Sequence, residues 1–358
     1  MKYRKTEIGL CVLALCACLL GGCGGSGGDT AGGETPAFSL AWSEYPSWSV
    51  FGVADAKGLI DSDEGKLGPV EEKWGVDIVL KEADYDTCLT LYGSGTVDAV
   101  CMTNMDSLAP SLGRDSVAVL PTSTSVGADA CIVVGVDSVE GLKEKDTYGL
   151  EKSVSQYAFE RCLTERGFDP SEFPFKNMDP AAAATAVQTG QENIDSIMVW
   201  NPFVLQTLRT KDGSTVMFDS SEIPEEIIDM VVVGKDSLAK PKGEEFACAV
   251  IDTFYQVNQL MADPKEGDDT LVALGAKFSS LPLEDMKIVV QQTQFYKTPE
   301  EGLGLFEREK FRGETMPMVV DFCVSHDIVE KKPTVGFDAA DSQLNFDGSF
   351  MKKLAEKE

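Results

Sequence analysis

The chain has 358 residues, 43% of them apolar, enough for two domains of ordinary size or one large two-lobed body, which excludes a disordered or fibrous chain. Its formal charge of −28 repels nucleic acid and anionic lipid headgroups alike and excludes both as partners. At the N-terminus Lys2, Arg4 and Lys5 precede an apolar run over residues 8–20 that ends in Leu20-Gly21-Gly22-Cys23. A basic start, a short apolar stretch and small residues before a break are the parts of a secretory signal over residues 1–22, too short to span a bilayer comfortably. Residues 1–22 carry a net +2, so their removal takes the charge to −30. Residues 23–36 are Gly-rich, offer no side chains for a core, and are expected to form a flexible tether.

Phe38, Leu40 and Trp42 then alternate with small or polar residues, predicting a strand that delivers the loop Ser-Glu-Tyr-Pro-Ser-Trp at 43–48. Glu44, Tyr45 and Trp48 are candidate ligand contacts, because loops at the carboxyl ends of strands in a parallel α/β sheet carry binding groups. The alternatives are core aromatics under a turn and a solvated Glu44. Helices are expected at 49–60, 68–74 and 85–92, and strands at 76–80 and 97–102; Thr103, Asn104 and Asp106 close the last of these, beside the first loop. Such alternation predicts a parallel, helix-covered sheet.

Strands at 116–120 and 129–134 follow, and Asp129 is either a partner for an amine or amide donor or a brace for backbone N–H groups. The alternation then restarts: strands at 147–150, 175–177 and 194–199, and helices at 155–166, 180–189 and from 202, with strands at 215–218 and 227–233 expected to close this second unit. Within it, Lys152, Ser153 and Ser155 stand where a strand gives way to a helix, so that either serine could cap it while free N–H groups face a ligand. Trp200 and Asn201, before Pro202, repeat that arrangement with an aromatic wall and an amide; core packing of Trp200 is the alternative. Long helices are expected at 244–261 and 283–292, with Gln291, Gln292 and Gln294 as candidates for a cleft rim.

Outside the signal and Cys23, six cysteines remain: Cys88, Cys101, Cys131, Cys162, Cys248 and Cys323. They are widely spaced in apolar settings, without a Cys-x-x-Cys or Cys/His cluster, so no metal site is expected. His326 is the only histidine, and no nucleophile motif or phosphate-cradling glycine loop is present. Neither a cofactor nor catalysis is therefore expected.

The Leu-Gly-Gly-Cys ending resembles the bacterial lipobox, which implies cleavage before Cys23 and its lipidation. Together with SEYPSW, VDAVCMTN, SVGADACIVV, GLEKSVSQYAFERCL and NMDPAAAATAVQTGQENIDSIMVWNPF, it makes the chain resemble the extracytoplasmic solute-binding proteins of ABC importers, in the nitrate/sulfonate/taurine group. The resemblance covers residues 37 to about 335. It implies the type 2 periplasmic binding fold: two α/β, Rossmann-like lobes joined by a two-strand hinge, with the chain crossing near 127–131 and 228–234. Lobe one would combine residues 37–128 and 235–358, and lobe two would be 129–234. It further implies a lipid-anchored monomer, periplasmic or at the cell surface, that hands a small solute to an ABC permease and its ATPase. One departure stands out: Lys152 is the only basic residue among the candidate contacts, where Glu44, Asp106, Asp129, Glu151 and aromatic rings predominate. That composition suits an amine, amide, urea-like or heterocyclic solute better than a sulfonate. The alternatives are a sensory binding lipoprotein without an importer, or an enzyme of the fold-related pyrimidine-biosynthesis type.

Overall fold

The computed structural model describes residues 35–191 and 193–356. The expected signal, Cys23 and nearly all of the tether lie outside the described residues. In chain order the strands are β1 (Ala37–Trp42), β2 (Asp77–Glu82), β3 (Ala99–Thr103), β4 (Ser116–Ser125), β5 (Asp129–Val134), β6 (Thr147–Gly149), β7 (Phe175–Asn177), β8 (Ser196–Trp200), β9 (Ser214–Asp219), β10 (Ile228–Gly234), β11 (Thr293–Phe295), β12 (Val335–Phe337) and β13 (Leu344–Phe346). They form two sheets. The larger runs β12-β13-β4-β10-β3-β1-β2, with β11 paired to β4, and the smaller runs β7-β6-β8-β5-β9.

The pattern of apolar residues explains the layering. In β5, Ala130 and Ile132 pack into a small core with Ala183, Val187 and Val199, while Cys131 and Val133 face the large core from the opposite side. In β1 the nearly buried Phe38 stacks on Phe246 of the helix Gly243–Ala262, with ring centroids 4.7 Å apart. The helix expected over 49–60 is shorter, Val50–Ala56, because Gly58 adopts φ +70° and Leu59 N–H returns to the Ala54 carbonyl, closing the helix end. The six cysteines of the described residues are all buried and serve as small core residues.

Two expectations are corrected. Neither sheet is purely parallel: β10 lies antiparallel between β3 and β4, and β5 antiparallel between β8 and β9. Both are strands that arrive from the other sheet, so they enter from the end at which the parallel strands finish. In addition, β10 does not close the second unit but lies wholly within the larger sheet, paired from Asp229↔Thr103 to Val233↔Ala99. The second crossing therefore precedes Ile228. The strand expected at 116–120 also runs on to Ser125, through Pro121; a register shift against Asp229 and Met230 accommodates the residue that lacks an N–H.

The chain passes between the sheets at 126–128 and at 220–227. At the first crossing Gly127 takes φ +88°, a conformation that suits glycine. Ser220 joins the two passages: its hydroxyl accepts from Gly127 N–H at 2.8 Å and lies 2.6 Å from the Ser125 hydroxyl. Among the described residues no helix is long and apolar enough to cross a membrane.

Candidate ligand-binding cleft

Because β1, β2 and β3 are parallel, the loops after them emerge along one rim. β6 and β8 are likewise parallel and send their following loops to one rim of the smaller sheet. Groups from both rims line a cleft of about 1250 Å³. From the larger sheet come Glu44, Tyr45, Trp48, Tyr85, Thr103 and Asp106; from the smaller come Lys152, Ser153, Ser155, Trp200 and Phe203.

Trp48 is held in place by its neighbours. It stacks on Tyr85 with centroids 5.2 Å apart and meets Tyr45 at 4.9 Å. The three rings are packed together and line the cleft, so Tyr45 and Trp48, read in the sequence either as contacts or as packing, are at once buried among aromatics and cleft-lining. Trp42 is different: its ring packs against Gly52, where an added Cβ would approach it to 2.9 Å, and it belongs to the core. Tyr85 in turn donates to Asp106 at 2.7 Å, and Thr103 donates to the same carboxyl oxygen at 2.8 Å. Depth in the molecule holds Asp106 above the usual carboxylate range, against the lowering effect of those two donors. Glu44 is exposed at the rim, with the Ser279 hydroxyl 3.3 Å away.

The antiparallel strands supply the floor. Each presents its first residues, not its last, at the rim: Asp129 of β5 stands opposite Trp200, and Asp229 of β10 stands opposite Thr103. Asp129 accepts from Ser125 at 2.6 Å and Asp229 from Ser123 at 2.5 Å. Burial pushes Asp129 up to about 6, partly offset by Ser125. It raises Asp229 further, and the charge of Asp129 adds to that. Burial, then Asp229 and Asp129, also hold the Tyr45 hydroxyl well above its ordinary value.

On the other wall Ser153 caps the helix Val154–Glu165: its oxygen accepts from Ser155 N–H at 3.1 Å and donates to the Leu150 carbonyl at 2.6 Å. Ser155, by contrast, has a buried hydroxyl with no hydrogen-bond partner among the described residues, as does the Trp48 indole N–H. Lys152 is exposed, at φ +54°, its own N–H bonded to Gln156.

Asn104 and Asn201 are not among the lining residues, and the reason is that their amide N–H groups are spent elsewhere. Asn104 clamps the end of the second crossing, donating to the Glu226 carbonyl at 3.0 Å and accepting from Ile228 N–H at 3.1 Å. Asn201, followed by a cis bond to Pro202, donates to Gln292 at 2.7 Å and so ties the smaller sheet to the helix Leu283–Gln292. Gln292 is therefore a brace, Gln291 is exposed and Gln294 lies in β11; none of the three lines the cleft. His326 ends the helix Met316–Ser325, stacks on Phe322 and places Nε2 3.0 Å from Glu160.

Sequence reasoning missed Asp229, Tyr85 and Phe203. Tyr85 follows the second parallel strand, so the loop rule already applied to the first and third strands would have found it. Asp229 carried a different signal, a lone carboxylate inside the apolar run Ile-Asp-Met-Val-Val-Val, which lay hidden because its strand was placed in the wrong sheet and direction.

No protein-family model and no curated protein matches the sequence. Solved structures do match it. The periplasmic aliphatic sulphonate-binding protein of Escherichia coli aligns with TM-score 0.64 and 18% identity, over 83% of this chain and 89% of that one. A putative periplasmic sulfonate-binding protein of Methylobacillus flagellatus KT aligns with TM-score 0.68 and 12% identity, over 90% and 95%. The periplasmic nitrate-binding protein of Synechocystis PCC 6803 aligns with TM-score 0.56 and 14% identity, over 90% and 89%. At these identities the likeness is one of fold, and it establishes the two-lobed α/β architecture of the type 2 periplasmic binding proteins for this chain.

Proposed function

We infer that the chain is the solute-binding component of an ABC importer, lipid-anchored through Cys23 outside the cytoplasm, and that it works as a monomer without catalysis. It captures a small polar, nitrogen-containing solute between its lobes and delivers it to a permease and its ATPase. The observation that carries this reading is the cleft itself: it draws its lining from the rims of both sheets, and the main chain joins those sheets at two short passages. A ligand touching both walls stabilises a closed form, and the shape of that form is what a permease can distinguish. The structural neighbours support it, since proteins described as sulfonate- and nitrate-binding share the fold.

The test is to identify compounds released from freshly purified full-length protein by mass spectrometry, then return them to stripped protein while following its radius of gyration by small-angle scattering. A co-purifying solute that binds one to one and contracts the particle is expected. Stripped protein that no solute from a cell extract contracts would remove the proposal.

A further inference from the structure

The cleft is chemically one-sided, and under the solute-binding reading, on which the inference rests, this points to one class of ligand. Among the lining residues carboxylates outnumber cations eight to one, Lys152 being the only cation and itself exposed at the edge. Asp129 and Asp229 on the floor are 5% and 2% exposed, yet neither has a salt-bridge partner among the described residues; neutral hydroxyls are the donors to their carboxyl oxygens, Ser125 to Asp129 and Ser123 and Tyr45 to Asp229. Buried carboxylates left without a cation are costly, and a ligand that carries the positive charge relieves that cost. The cleft is also lined by the rings of Trp48, Tyr45 and Tyr85, with Trp200 and Phe203 on the opposite wall, and aromatic rings favour a cation because the ring face is the negative end of the quadrupole.

A second observation concerns the ligand's other end. The Trp48 indole N–H and the Ser155 hydroxyl both belong to cleft-lining residues, 4% and 1% exposed, and both lack a partner among the described residues. An indole N–H can only donate. Ser155 lies in the first turn of the 12-residue helix Val154–Glu165, where the helix dipole favours an electronegative atom. These two groups call for an acceptor.

We propose that the cleft binds a dipolar organic cation: a protonated amine or quaternary ammonium set among Asp129, Asp229 and the aromatic rings, with a hydroxyl, ether or carbonyl oxygen at the other end taking the Trp48 and Ser155 donors. A simple inorganic or sulfonate anion offers nothing to the floor and meets one exposed lysine.

The experiment is titration calorimetry of the stripped full-length protein with choline, tyramine, tetramethylammonium, ethanesulfonate and nitrate. Choline and tyramine are expected to bind at least ten-fold more tightly than either anion. Asp129→Asn and Asp229→Asn, which keep side-chain shape, should each weaken choline at least ten-fold, and Ser155→Ala should erase the advantage of choline over tetramethylammonium, which has no acceptor. Equal or tighter binding of an anion, or no binding by any of the three cations, overturns the cation assignment, as does choline affinity unchanged in both Asn variants. If an anion binds and contracts the particle, the solute-binding reading survives that loss; if no extracted solute does so either, both readings fall.

Discussion

Asp129 shows what a buried carboxylate without a cation costs the ligand-free protein. Its carboxyl is pushed from the usual 3.8 up to about 6 by burial, so the folded state holds the neutral form more readily than the unfolded chain does. The stability this confers is complete below about pH 4 and is lost as pH rises through 6; a shift of that size corresponds to about 3 kcal/mol. Asp129→Asn, permanently neutral, should therefore stabilise the ligand-free protein by up to about 3 kcal/mol at pH 7.5, with the gain shrinking towards pH 4, as read by urea denaturation across that range. Under the proposed cation reading, binding is expected to run the other way: affinity for choline should fall as pH drops through 6, because protonation of Asp129 removes a charge that would recognise it, as calorimetry across that range would read. A residue that destabilises its own fold fits the proposed place in a binding site better than the role of a brace.

At the level of elements, the helix Val154–Glu165 does two jobs with two serines. Ser153 spends its oxygen on the cap, while Ser155 keeps its hydroxyl unspent. Ser153→Ala should cost roughly 1 kcal/mol in denaturant unfolding, whereas Ser155→Ala, which removes an unsatisfied group, should cost little. The sequence placed both serines at this helix start and could not apportion the roles, since capping depends on which residue leaves helical dihedrals and which begins them. It also could not orient the antiparallel strands. A hydrophobic run such as that of β10 reads the same in either direction, and its direction decides which end reaches the rim.

Across the whole molecule, the second crossing is pinned by a buried charge. Glu226, 4% exposed, takes two hydrogen bonds at 2.9 Å from Arg161 and one at 2.8 Å from Tyr157, so the helix Val154–Glu165 grips the passage between the sheets. Arg161→Met would leave that carboxylate with Tyr157 alone and should destabilise the protein by roughly 3–5 kcal/mol, read as a lowered unfolding midpoint. Tyr157 also meets Phe322 edge-on at 5.1 Å, and Glu160 meets His326, so one face of this helix packs across the lobes while its first turn lines the cleft. His326, remote in sequence from every candidate loop, is thereby brought beside the smaller lobe.

By itself the sequence determined the alternating strands and helices, the small-to-hydroxylic helix starts and the aromatic loop after the first strand, because these rest on local periodicity and capping chemistry. It also carried the unusual balance of charge in the cleft, since Glu44, Glu151 and Lys152 lie in stretches that strand-end logic selects and Asp129 lies on the expected first crossing. Only the tertiary structure decided that β10 belongs to the larger sheet, that Asp229 faces Asp129's cleft, that Asn104 clamps the second crossing and that Asn201 ties the smaller sheet to the helix Leu283–Gln292. Those outcomes depend on strand direction and on partners more than 90 residues away, such as Glu226 for Asn104 and Gln292 for Asn201, and a local pattern contains no record of either.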